Sequence, residues 1–308
     1  MRHTLFLLFL LPSVALGYQN KPAAVIDAAI KNIRTGKYEP VKEDALFEPA
    51  NHTTALEILA AHYEDSIARV RDKVYNYTKR IGQASEDNAI RRQAVDQLIT
   101  GLDDSEASVV NTVLQGLGGF YYEDFSDADK AIIAGYLQAS LPHYDKLLRL
   151  AGFLQLQDQQ SLIRSKVSDR SQSRAVRWAA RLALARMGDE ATLKGILDKL
   201  EALEVNDDIV YEICPDLIYT RQKAAFDYMV GILKSEERKC YAANPDATDM
   251  IQCGYRIMEF FPGVVEGFPL QAGPGGDIET DDYKKALETA RDWFAAQAGN
   301  YTISQRTM

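Results

Sequence analysis

Cysteine is scarce in this 308-residue chain, which holds 3, and so are tryptophan (2), histidine (4) and proline (10). With 19 glycines, 46% hydrophobic and 26% charged residues, the composition excludes a collagen-like fibre and wholesale disorder. Positive charge is in the minority: 35 Lys and Arg against 44 Asp and Glu leave a formal net charge of −9. A sequence-independent nucleic-acid binder needs a basic surface, so no nucleic-acid partner is expected. No CxxC, HExxH or Cys/His cluster has metal-ligand spacing, so neither a metal nor another cofactor is expected. His52, His62 and His143 stand apart from any Ser, Cys or carboxylate pattern that would mark a nucleophile and its base, and no catalytic residue is assigned. The run Gly273-Pro274-Gly275-Gly276-Asp277 lacks the Lys-Ser/Thr of a phosphate loop.

Long apolar runs are also missing after the first segment. Arg2, the apolar stretch Leu5 to Leu11 and the small residues of Ala15-Leu16-Gly17 have the pattern of a signal peptide over 1–17, cleaved after Gly17. The stretch is short of the roughly 20 residues that span a bilayer. The expected product is secreted or periplasmic, with no membrane insertion after signal cleavage. Export allows disulfides, and Cys240 and Cys253 flank one loop, which makes them the candidate bridge; three reduced core cysteines are the alternative. Cys214, in the apolar run Ile213-Cys214-Pro215, reads as a buried free thiol. Asn51, Asn76 and Asn300 each open an Asn-x-Thr sequon, which matters if the organism glycosylates exported chains.

Apolar spacing after residue 50 is helical almost everywhere. Leu56, Ala60, Tyr63, Ile67, Val70, Val74, Tyr77 and Ile81 form one stripe that predicts a single long helix, with Thr54 and Glu57 as its capping box. Helix pairs are predicted at 86–101 with 105–118, 126–140 with 143–156, 158–167 with 172–187, and 189–203 with 206–219, before another helix at 221–235. Ser105 and Ser126 are placed as N-caps. No stretch alternates apolar and polar residues convincingly, so the fold class is all-α, and helix pairs recurring at roughly 30 to 40 residues indicate an α-α superhelix. The residues from Pro262 to Gly276 are too rich in Pro and Gly for a helix and predict a long loop. Thr280 then caps a last helix bearing Tyr283, Leu287, Ala290, Trp293 and Phe294 on one face.

The segment Ala175-Val176-Arg177-Trp178-Ala179-Ala180-Arg181-Leu182-Ala183-Leu184-Ala185-Arg186-Met187-Gly188-Asp189 resembles a HEAT-like repeat of the short bacterial type, and residues 87–98 resemble it more weakly. Its small residues Ala180 and Ala183 let two helices approach closely. The resemblance implies a HEAT-like α-solenoid of about five or six helix pairs. The repeats would span 51–239, with a cap or extended segment at 18–50 and a C-terminal helix-loop-helix cap at 240–308. In such repeats the Val-Arg arginine pairs with an acid of a neighbouring repeat, which makes Arg177 and Arg91 structural.

Charge is concentrated once. Arg164 to Arg186 holds six Arg and Lys166 against the single acid Asp169. Arg170, Arg174, Arg177 and Arg181 could share a helix face if the helix begins early enough, and Trp178 lies among them. Guanidinium groups beside an indole suit carboxylates, sulfates and phosphates. Arg164, Arg170, Arg174, Trp178 and Arg181 are therefore the candidate binding residues, for a protein's acidic segment or an anionic glycan; pairing with the acids of 189–212 is the structural alternative. Phe260, Phe261 and Phe268 form a second candidate patch, unless they seal the last repeat. The function expected is an exported, non-catalytic scaffold or binding protein. The alternatives are an all-helical glycan-acting hydrolase or lyase, and a structural subunit of an envelope assembly.

Overall fold

Helices form wherever apolar side chains recur at helical spacing between polar interruptions. The structure, a computed structural model, describes residues 21–139, 141–242 and 249–308, so the signal peptide expected over 1–17 lies outside it. It is mostly helical, and the chain divides into two units, the first running to Phe120 and the second Tyr121–Met308. That division falls inside the 51–239 stretch read as one run of repeats. Among the described residues no helix is long and apolar enough to cross a membrane.

The first unit contains α1 (Lys21–Thr35), α2 (Asp44–Phe47), α3 (His52–Ala60), α4 (Ala68–Ala84), α5 (Asn88–Ile99) and α6 (Ala107–Leu117). Within the 18–50 stretch expected as a cap or extended segment lies α1, which buries Ile26, Ala29 and Ile30 and ends before Gly36 at φ +65°. The predicted long helix is two helices. Asp65 accepts the Ile67 N–H at 2.9 Å and turns the chain, and Tyr63 stacks on Tyr75 of α4 with ring centroids 4.4 Å apart. The 4-3 stripe survives because both helices face the same core; spacing alone does not register the turn. Thr54 and Glu57 form no capping box, since α3 begins at His52. At the start of α6, Glu106 and not Ser105 takes the N-cap position, where the Asp104 carboxylate accepts its N–H at 2.8 Å.

Glu43 ties α2 to α4. Its carboxylate accepts from Tyr77 (2.6 Å), Arg80 (2.7 Å) and Lys73 (3.0 Å). Burial alone would raise its pKa, but those hydrogen bonds and the cationic charge outweigh it and bring the group from 4.5 down to about 2. A carboxylate with a depressed folded pKa contributes stability that is complete above its unfolded value and is lost as pH falls through the folded one. The urea midpoint of the first unit is expected to fall between pH 4.5 and about 2, and Glu43→Gln is expected to flatten that part of the profile. An unchanged slope in the variant would place the acid sensitivity elsewhere.

The second unit contains α7 (Asp127–Tyr136), α8 (Tyr144–Phe153), α9 (Gln160–Ser168), α10 (Arg174–Arg186), α11 (Glu190–Glu201), α12 (Cys214–Thr220), α13 (Lys223–Lys234), the short α14 (Gly254–Ile257) and α15 (Tyr283–Gln297). Ser126 caps α7 as expected, in a capping box with Asp129. The central helix is α10, packed on α8, α9, α11 and α12, with Val176, Ala179, Ala180 and the run Leu182 to Arg186 all buried. Before α15 the cap is Asp282, which accepts the Lys285 N–H at 3.0 Å; Thr280 instead accepts from Asp282 N. Residues 262–276 contain no helix.

A two-stranded antiparallel ribbon, β1 (Arg238–Tyr241) with β2 (Met250–Gln252), breaks the all-helical pattern. Cys240 and Cys253 are disulfide-bonded across it, with Cα atoms 5.1 Å apart, and Cys214 is a buried free thiol. Strands of 4 and 3 residues are too short for alternation to show in a sequence.

Candidate functional site

The arginine-rich segment folds as α9, a tight turn and α10. Asp169 holds the turn: its carboxylate accepts from Ser171 N (2.9 Å) and Oγ (2.6 Å), bonds that keep its pKa below the ordinary range. Ser173 Oγ accepts the Val176 N–H at 3.2 Å and starts the helix at Arg174. Arg170 consequently sits in the turn and does not share the helix face. Arg174, Arg177 and Arg181 do, at spacings of three and four.

Arg174, Ala175, Arg177, Trp178, Arg181 and Ile213 line a hollow of about 530 Å³. The Trp178 indole N–H donates to Asp216 at 2.5 Å, and Asp216 is in turn paired with Arg149 of α8 at 2.7 Å. These bonds fix the ring plane beside the arginines. Ile213 and Asp216 reach the site through an irregularity. Residues Ile209–Ile213 make a π-helical turn in which the Cys214 N–H bonds to Ile209 O, just before Pro215. Proline has no N–H to give the preceding turn, which explains why the regular ladder fails there. Spacing of arginines could not point to Asp216 and Arg149; the only sequence signal was Cys214-Pro215-Asp216 at the end of an apolar run.

The strip divides by partner. Arg164 is ion-paired with Asp189, whose pKa that pairing lowers, so it is at least partly structural. Arg177 donates to the carbonyl of Gln172 instead of to an acid. Arg91 donates, among its contacts, to the carbonyls of Ser85 (3.3 Å) and Glu86 (2.9 Å), so both arginines clamp the turn before their own helix. Among the described residues Arg170, Arg174 and Arg181 have neither ion pair nor hydrogen bond from their guanidinium groups. Arg170 and Arg174 are exposed, and Arg181 and Trp178 are half-buried.

Arg186, the last arginine of the run, is 1% exposed and belongs to the core. Its Nη atoms donate to the carbonyls of Tyr219, Thr307 (2.9 Å) and Gln305 (3.4 Å), and its guanidinium lies 5.5 Å from the Phe153 ring and 5.4 Å from that of Tyr219.

The other candidates resolve as follows. Phe261 is fully buried, and Phe268 packs edge-on to it and to Trp293, so these rings fold onto α15 and seal the end of the unit. Phe260 is half-buried against the same core. Asn51 is 5% exposed and donates to Ala45 O at 2.9 Å; Asn76 is half-buried, and Asn300 is exposed. His52 is buried with Nε2 3.2 Å from the Phe47 carbonyl. Among the described residues no three His, Cys, Asp or Glu side chains are grouped so as to hold a metal ion.

No family model matches the chain, and no curated protein is similar to it. Among solved structures, human deoxyhypusine hydroxylase in complex with glycerol is similar over 92% of this chain and 99% of that one, with 14% sequence identity and a TM-score of 0.33. A likeness that distant assigns neither a fold nor an activity.

Proposed function

We propose that the protein is an exported, non-catalytic binding protein of HEAT-like helix pairs, in which Arg170, Arg174 and Arg181 around Trp178 hold an acidic protein segment or anionic glycan. The observation that carries this reading is that two guanidinium groups without partners among the described residues, those of Arg174 and Arg181, line a hollow whose indole is fixed by Asp216, with the exposed Arg170 in the turn before the helix. Unpaired arginines in a chain of net charge −9, with acids available on the next helix, are a surface open to an anion from outside. Repeat architecture is supported by a feature common to both units. Arg91 and Arg177 each lie four residues after an N-cap, Asp87 and Ser173, and each clamps the turn before its own helix. The disulfide supports export to an oxidising compartment.

The test is binding of the purified chain to immobilised polyglutamate and heparin across a salt series. Affinity is expected to fall with salt, and Arg170→Glu/Arg174→Glu/Arg181→Glu to reduce it by about tenfold or more, since reversed rim charges repel an anionic partner. Helix content by circular dichroism should stay unchanged, because these side chains make no internal bond among the described residues. Wild-type-like binding by the folded triple variant would overturn the assignment. Turnover of heparin would favour the glycan-acting hydrolase or lyase alternative.

A further inference from the structure

A second hollow in Tyr121–Met308, of about 400 Å³, has Tyr122, Phe153 and Met187 as apolar walls and Gln155, Gln222 and Gln305 around Arg186. Arg186 is 1% exposed, its Nε is buried without a partner, and its Nη bonds end on main-chain carbonyls. Arg221, 4% exposed, repeats the arrangement: its Nη atoms donate to Ile218 O, Thr307 Oγ1 and Met308 O, and its Nε is also buried and unpartnered. Arg186 meets no carboxylate among the described residues, and the acid that lines the hollow, Glu123, is paired with Arg306. Carbonyl dipoles satisfy N–H groups but leave the net charge, and an uncompensated charge inside a protein is costly. Gln222 and Gln305 each spend one amide N–H, on Arg186 O (3.2 Å) and Arg221 O (3.2 Å), and each keeps a second.

We propose that this hollow is a binding site for a small carboxylate on an aromatic or branched apolar body. The apolar part lies against Phe153, Met187 and Tyr122, while the carboxylate accepts from Gln222 and Gln305 and compensates the charge of Arg186 through a low-dielectric wall. A neutral analogue fills the same volume without supplying that charge. The site is independent of the exposed arginine strip, and the strip triple variant serves as a control that should bind as the wild type does.

The experiment is calorimetric titration and thermal unfolding of the full chain with phenylacetate, phenylacetamide and acetate. Phenylacetate is expected to bind at least tenfold more tightly than either of the others and to raise the melting temperature. Gln305→Glu installs a carboxylate in the hollow that Arg186 lines. It is expected to raise the melting temperature of the unliganded chain and to weaken phenylacetate by tenfold or more. Should that variant not fold, Met187→Trp, which fills the apolar end, must weaken phenylacetate to the same degree. Equal binding of phenylacetate and phenylacetamide, or no binding of phenylacetate, overturns the proposal, as does undiminished binding by a folded variant.

Discussion

Gly152→Ala is expected to destabilise Tyr121–Met308 by about 2–3 kcal/mol, in the range of overpacked cores, although glycine to alanine in a helix ordinarily stabilises by about 1 kcal/mol. A Cβ at position 152 would meet the Tyr219 hydroxyl and would lie 2.7 Å from Ala183 Cα and 3.0 Å from Ala183 Cβ. The Cα atom is backbone and cannot rotate away, so α8 and α10 must separate. Tyr219 is held as well, because its hydroxyl donates to Arg149 O at 2.6 Å. Moving α10 disturbs Trp178 and Arg186 together, so binding at both proposed sites should weaken with the fold. The control is Gly195→Ala on α11, where nothing lies within 4 Å of the added methyl; there the helix propensity acts alone and stability should rise by about 0.5–1 kcal/mol. Urea unfolding followed by circular dichroism separates the two signs. A stabilising Gly152→Ala would mean that α8 and α10 are not in this close contact.

The same helices show how far the sequence could be read. Ala180 and Ala183 pointed to a close helix approach, and Ala183 does face a glycine. The identity of that glycine was not legible, because Gly152 lies 31 residues away and nothing local distinguishes it from Gly195, which touches nothing. Gly82 makes the equivalent approach in the first unit, where an added Cβ would lie 2.5 Å from Ala94 Cβ, again outside the reach of pattern. Helix positions from residue 86 onward were legible because amphipathic spacing and polar breaks are local signals. The turn at 61–67 was not, since Asp65 redirects the chain without interrupting the apolar stripe.

The arginine strip was legible as charge and illegible as geometry. Four of its arginines were expected on one face, yet the Ser173 cap fixes the helix start and puts Arg170 outside it. Arg186 has the same composition signal as Arg174 and the opposite environment, buried among aromatic rings and carbonyls of the chain's last residues. Contacts between residue 186 and residues 305–307 are long-range, and no window of sequence contains both. Burial lowers the pKa of Arg186 and of Arg221 to about 10, which still leaves both charged at neutral pH.

Removing the disulfide with Cys240→Ala/Cys253→Ala is expected to cost about 3 kcal/mol, the chain-entropy value for a loop of this length. The bridge closes a sequence separation of 13 residues, both cysteines are buried, and a two-stranded ribbon of this size is not stable alone. The loss should nevertheless remain local at first. Arg291 of α15 donates to Leu233 O (2.8 Å), Ser235 O (2.8 Å) and Gln252 Oε1 (2.9 Å), which ties both ends of the ribbon to the helical core without the sulfur link. Hydrogen exchange should accordingly rise across 238–241 and 250–257 while the amides of α10 keep their protection. Reducing the wild type should reproduce that pattern, and two thiols should become alkylated quickly. Cys214 should react far more slowly, because burial covers it and pushes its thiol up to about 12, leaving almost no thiolate at neutral pH. If exchange in α10 rises together with that of the ribbon, the disulfide supports the whole unit and the Arg291 contacts do not suffice; rapid labelling of all three thiols would show the same by a different route.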